Sequence, residues 1–230
     1  MTNTTIGFLL KKYIKACGIT VTIATTEADR NDAFGLRKNV YESANYSSQL
    51  NYPDEYDAHS IIINAYKDQH IVGSMRLSSI NKGAFCFDLC NPNIPEDIPL
   101  SEIIEYGTLV VDKAFRKSNS LIFIALTEAA FQYSISNHFK YWYGFSIPQQ
   151  IEHFKKINPH CTILETLPPT PKSLEKQQRF RDYFEQYGVV SKPFLFELDK
   201  VNYLHAILLL IKNSFKRNIS KPNNISTRIA

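Results

Sequence analysis

The sequence predicts one α/β domain with a mixed, mostly antiparallel sheet and helices on both faces. Strand-like and helix-like segments alternate along the chain, which suits a sheet covered by helices. No Gly/Ser-rich or Pro-rich linker divides it. Its 230 residues at 44% apolar content suffice for one large domain or two small ones; the lack of a linker favours one.

Residues 6–16 (IGFLLKKYIKA) read as a short amphipathic helix, which Gly18 ends before a strand over 20–24. Thr26 to Asp29 resemble a capping box and start a helix that runs to about Glu42. Helical spacing puts Ala33, Leu36 and Val40 on its core face, and Arg30, Phe34, Arg37 and Tyr41 on the adjoining face. Arg37 is therefore expected at the border of core and surface, its stem packed and its guanidinium able to reach a ligand. A polar loop over 43–58 follows, with Tyr46, Tyr52 and Tyr56. Strands over 59–66 and 70–78 form a hairpin across Lys67, Asp68 and Gln69. Alternation points Arg76 to the opposite face from Met75 and Leu77.

Beyond the loop NPNIPEDIP come a helical turn, a strand over 105–111 and a helix over 120–137. That helix carries Leu121, Ile124, Ala125, Glu128 and Phe131 near one side. An aromatic strand over 140–146, a helix from Pro148 and a strand over 162–165 continue the alternation. A helix over 172–187, a strand over 193–198 and a helix over 201–215 complete it. Tyr141, Trp142, Tyr143 and Phe145 are either plain core or the wall of an acyl-chain tunnel.

Net charge is only +4, but no acidic residue follows Asp199, whereas Lys200, Lys212, Lys216, Arg217, Lys221 and Arg228 do. Such an end either docks an acidic protein, an anionic membrane or nucleic acid, or is a solvated tail. The last helix has an apolar stripe (Val201, Leu204, Leu208, Ile211, Phe215), expected to pack as core, with a peripheral membrane contact as the alternative. Its longest apolar run, 206–211, is far too short to span a bilayer. Cys17, Cys86, Cys90 and Cys161 form no CxxC, and no signal peptide is read in the first thirty residues. Reduced thiols in a cytoplasmic protein, at most associated with the inner face of the membrane, are the expectation. The six histidines show neither HExxH nor HxH, so no metal is expected.

Four motifs occur in order: Arg37-Lys38-Asn39-Val40-Tyr41, Asp54-Glu55-Tyr56-Asp57, Gly73-Ser74-Met75-Arg76-Leu77 and Glu105-Tyr106-Gly107-Thr108. On them, residues 20–165 resemble the GNAT acyltransferases, and within these the autoinducer-synthase branch. That branch comprises acyl-homoserine-lactone synthases and the related long-chain N-acyl amino acid synthases. The resemblance implies an acyltransferase domain over 20–199, flanked by an N-terminal helix (1–19) and a basic amphipathic helix and tail (200–230). Thr108 stands where the lactone synthases carry arginine, which argues against S-adenosylmethionine as acceptor. A fifth stretch, Val111 to Arg116, matches the first half of the superfamily's thioester cradle, while Asn119 and Leu121 replace its small residues.

The resemblance implies Glu105 as base or base-orienter, and Arg37, Tyr41, Asp54, Asp57, Arg76 and Thr108 as acceptor-binding residues. Asp54 and Asp57 would hold an ammonium, Arg37 or Arg76 a carboxylate. Leu109, Val110 and Val111 would supply oxyanion donors; Arg116, Lys117, Ser118, Asn119 and Ser120 would hold the phosphopantetheine. Plain readings stand beside these: the Asp pair as a solvated turn, Arg37 as a structural ion pair, Arg116 and Lys117 as an exposed turn. The expected reaction moves a fatty-acyl group from acyl-carrier protein to the amine of an amino acid or similar small molecule. No tightly bound cofactor and no nucleic-acid partner are expected. The alternatives are acyl-homoserine-lactone synthesis, a coenzyme A-dependent transferase, and a non-catalytic acyl- or carrier-binding module.

Overall fold

The computed structural model describes residues 3–43, 53–118, 120–146, 148–171, 173–178 and 191–200. Within them one sheet contains β1 (Ile19–Ile23), β2 (Ile61–Lys67), β3 (His70–Ser79), β4 (Ile103–Val111), β5 (Tyr141–Ser146), β6 (Cys161–Ile163) and β7 (Lys192–Glu197). Their spatial order is β1-β2-β3-β4-β5-β7-β6. Every neighbouring pair is antiparallel except β4–β5. The helices are α1 (Asn3–Ala16), α2 (Glu27–Glu42), α3 (Phe85–Cys90), α4 (Ser120–Ser136) and α5 (Pro148–Ile157).

Alternation along β2 sorts the helices onto two faces. Ile62 packs with Ala33 of α2, whereas its neighbour Ile63 joins the main core with Ile122, Ala125 and Leu126 of α4. Adjacent strand residues point oppositely, so α2 and α4 cover opposite faces. α1 lies on the α4 side, with Leu10 and Ile14 in the same core. Gly73 lets α4 approach β3: a Cβ there would lie 2.7 Å from Ile122. The expected capping box starts α2, with Thr26 Oγ1 accepting from Asp29 N at 3.1 Å and the Asp29 carboxylate accepting from Thr26 N. Trp142 and Tyr143 resolve as core residues, one on each face.

Two placements differ from the sequence reading. β4 begins at Ile103, so Glu105 is its third residue rather than its first. α3 was not anticipated: six residues without a side-chain cap offer too little periodicity to read. The helix expected over 172–187 is described only at 173–178. Tyr46, Tyr52 and the helix over 201–215 lie outside the described residues.

Glu128 of α4 is 4% exposed, and Oε2 has no hydrogen-bond partner among the described residues. Oε1 accepts from Gln132 Nε2 at 3.2 Å. Burial pushes its carboxyl from 4.5 to about 7. The folded state therefore holds this proton more tightly than the unfolded chain does, and stability falls as pH rises between these values. The span corresponds to about 3 kcal/mol. Glu128→Gln should thus stabilise the protein by up to about 3 kcal/mol near pH 8, with the gain vanishing toward pH 4.5. Urea unfolding at the two pH values checks this; an equal effect at both rejects it.

Candidate active site

Strand register gathers the motif residues on the face covered by α2. Ile62 pairs with Arg76, Arg76 with Gly107, and Ser78 with Glu105, so Arg76, Ser78 and Glu105 share the α2 side. The turn at Asp57–His59 folds beneath α2, where Asp57 Oδ1 accepts from Arg37 Nη1 at 2.6 Å and from Arg76 Nη1 at 3.1 Å. Arg76 Nη1 also donates to both oxygens of Asp54, at 2.6 and 2.7 Å. Arg30 closes the turn from above by donating to the Asp57 carbonyl.

Arg37, Arg76, Asp57 and Glu105 are each at most 2% exposed. Burial pushes the Asp57 carboxyl up, but the Arg37 and Arg76 charges outweigh it and hold it below the ordinary carboxylate range. Asp54 and Asp57 in turn raise Arg76 despite its burial. Arg37 keeps its Nε and Nη2 without a partner among the described residues, as does Arg76 its Nε. Unpaired donors of a buried guanidinium are costly and call for an acceptor.

Glu105 Oε2 accepts from Phe87 N, the third residue of α3, at 2.9 Å. Burial pushes its carboxyl up, opposed by Arg76 and the amides of Phe87 and Cys86. Tyr143, the register partner of Glu105 on β5, steadies the start of α3 by donating to the Cys86 carbonyl at 3.2 Å. Burial also pushes the Cys86 thiol well up and that of Cys90 to about 12, so both remain thiols at neutral pH.

Beside Glu105 the sheet opens. β4 and β5 pair at Ile103–Tyr141, Ile104–Trp142 and Glu105–Tyr143, and the ladder between them ends at Glu105. On its other edge β4 bulges. Arg76 pairs with Gly107 and Ser74 with Val110, so Thr108 and Leu109 together oppose Met75. Thr108 has φ +49°, a left-handed conformation that a β-branched residue adopts only under constraint. The bulge re-aims the strand: Glu105 and Gly107 face α2, and so does Val110, packed on Leu36 and Val40. A splayed, bulged strand thus presents backbone groups next to a buried carboxyl.

Residues 32–157 match the family described as N-acyl amino acid synthase FeeM. The chain belongs to this family of acyltransferases. No curated protein matches it significantly. Among solved structures it is similar to FeeM, an N-acyl amino acid synthase from uncultured soil microbes, at 12% identity and TM-score 0.53, covering 84% of this chain and 97% of that one. It is also similar to MesI, a CoA-dependent acyl-homoserine lactone synthase, at 12% identity and TM-score 0.59, covering 83% and 95%. BjaI, a further CoA-dependent lactone synthase with SAM and isopentyl-CoA bound, aligns at 15% identity and TM-score 0.55, covering 86% and 89%. These likenesses establish the GNAT acyltransferase fold.

In this member of the FeeM family, Arg37, Asp54, Asp57, Arg76 and Glu105 meet on one side of the sheet. Tyr41, half-buried, feels the charges of Arg37, Arg76 and Asp54. Arg37 corrects its expected position. It is fully buried rather than at the surface border, because the 54–59 turn closes over it and supplies Asp57. Leu109 and Val111 pack on the main core through their side chains. Lys113–Ser118 forms a 3-10 turn after β4; the side chains of residues 116–120 lie outside the described residues.

Sequence reasoning missed the surroundings of Glu105: Phe87, Cys86 and Tyr143. It also missed Tyr56, which donates to Asp88 Oδ2 at 2.8 Å and meets Lys176 Nζ. A signal existed for the bulge alone, in the glycine inside the strand at Gly107. A cavity of about 470 Å3 lies elsewhere, between α2, the start of β3 and the turn after β4, lined by Asp32, Asn39, His70, Asp112 and Phe115. Among the described residues no helix is long and apolar enough to cross a membrane, and no group of three ligands could hold a metal.

Proposed function

We propose that this chain transfers a fatty-acyl group from acyl-carrier protein to the amine of an amino acid or a similar small molecule. The observation that carries the reading is the buried Glu105 carboxyl beside the point where β4 leaves β5. A thioester laid beside β4, past its pairing with β5, places its carbonyl near the backbone at Leu109 to Val111. The acceptor's ammonium loses a proton to Glu105, directly or through water, and the amine attacks the carbonyl. The oxyanion is held by the backbone donors, each of which typically contributes about 3 kcal/mol. Collapse expels the thiolate of the donor arm, which takes up a proton. Transfer is direct, since the neighbouring Cys86 and Cys90 are protonated thiols that make poor nucleophiles. The Nε–Nη2 edge of Arg37, without a partner among the described residues, matches the planar geometry of an acceptor carboxylate.

Two features support the carrier protein as donor. Leu121, in place of a small residue, fills its position with side chain packed on the main core, which disfavours a closely approaching pyrophosphate. Lys113 and the acid-free end of the chain offer positive charge to an acidic carrier. The same acyl chain on acyl-carrier protein should give a higher kcat/KM than on coenzyme A, and that advantage should shrink with salt. Equal or better kcat/KM with acyl-coenzyme A, insensitive to salt, removes the carrier protein from the reading.

A further inference from the structure

We propose that α1 docks this protein onto an anionic membrane surface. The helix contains no acidic residue, and Lys11, Lys12 and Lys15 are exposed. Leu10 and Ile14 fasten its inner side to the main core. Phe8, Lys12 and Lys15, spaced by four and three residues, occupy the outward side together, flanked by Lys11 and Tyr13. Phe8 is 56% exposed and Tyr13 59%. The outward side of α1 thus combines three lysines with an exposed aromatic ring at Phe8 and a second ring, Tyr13, at its flank.

The charge and the rings together select the partner. An acidic protein answers the lysines but gives Phe8 and Tyr13 no apolar environment. An anionic lipid interface answers both, with headgroups taking the ammonium groups and the acyl boundary taking the rings. Lys12 Nζ lies 4.6 Å from the Phe8 ring centroid, so ring and cation reach one plane together. The location is also compatible with catalysis. α1 packs on β1, the edge strand three positions from β4, which leaves the β4–β5 opening uncovered. The proposal stands on this surface alone and does not depend on which donor or acceptor the active site uses.

The experiment is flotation of the full-length protein with vesicles of phosphatidylcholine alone and of phosphatidylcholine with an equal share of phosphatidylglycerol. The wild type should partition at least tenfold better to the anionic vesicles at about 0.15 M salt. The K11E/K12E/K15E variant should lose about 100-fold of that partitioning, since each lysine near such a surface is worth roughly fivefold. Phe8→Ala should weaken it several-fold without changing the salt dependence. Should the triple variant melt early, Lys12→Glu alone, at the most outward position, should still cost about fivefold. Failure of the wild type to float overturns the proposal. So does undiminished flotation of the triple variant, which assigns binding to the basic end of the chain. Loss of carrier-protein binding in that variant, with lipid binding intact, overturns it in favour of a protein dock.

Discussion

Glu105→Gln should lower turnover by about 100- to 10,000-fold while moving the acceptor's KM little, as expected for loss of a general base. Glutamine keeps the shape of the side chain and an oxygen to accept from Phe87 N, now at 2.9 Å from the carboxylate. It lacks only the ability to take a proton. The pH profile separates this from a structural effect. Burial raises the Glu105 carboxyl, so the acid limb of kcat should fall above the ordinary carboxylate range and disappear in the variant. Stability should move the other way. A carboxyl raised on folding favours the folded state at low pH, and that advantage is lost as pH rises from the unfolded value through the folded one. Glu105→Gln should therefore unfold no earlier than wild type at neutral pH. Wild-type turnover in the folded variant would falsify the assignment of the base.

The legible parts of this site were those written in local chemistry. The capping box of α2, the hairpin of β2 and β3, and the alternation that sets Arg76 against Met75 each depend on neighbours in sequence. The order of the four motifs carried the family resemblance. What could not be read depends on contacts between distant residues. Helical spacing placed Arg37 correctly beside the core stripe, yet spacing contains nothing about a turn twenty residues later that covers it. The family resemblance points to Glu105, but the amide that holds it comes from α3, a helix too short to announce itself. Thr108 illustrates the same limit at the backbone. A β-branched residue in a strand-like run reads as extended, and its left-handed φ arises from the register that β3 and α2 impose on β4.

Asp57→Ala should cost about 3–5 kcal/mol of unfolding free energy, the largest stability effect expected of any substitution in the site. Against a total of roughly 5–15 kcal/mol, this leaves a marginal fold. The reason is asymmetry of partners. Arg76 Nη1 retains Asp54, at 2.6 and 2.7 Å. Arg37 has Asp57 alone among the described residues and is fully buried, so the substitution strands an unneutralised guanidinium. Asp57→Asn tests charge apart from volume. Its NH2 would face either Asp54 N, which now donates to Asp57 Oδ2 at 2.9 Å, or the two guanidinium donors at Oδ1, so either orientation sets donor against donor. Asp54→Ala should cost less, because Asp54 is 25% exposed and Arg76 keeps Asp57. Removing both charges by Arg37→Leu with Asp57→Leu should recover much of the loss, since an apolar pair replaces the ion pair without stranding a charge. That double variant should nonetheless stay inactive if Arg37 meets the acceptor. Linkage gives an independent check. The Asp57 carboxyl is lowered on folding, so its stabilisation is present above the unfolded value and is lost as pH falls through the folded one. Wild type should lose this contribution in acid, and Asp57→Ala should have none to lose. Urea titrations of the four variants at neutral and acid pH measure every term; a cost below about 1 kcal/mol for Asp57→Ala would mean that Arg37 finds another partner.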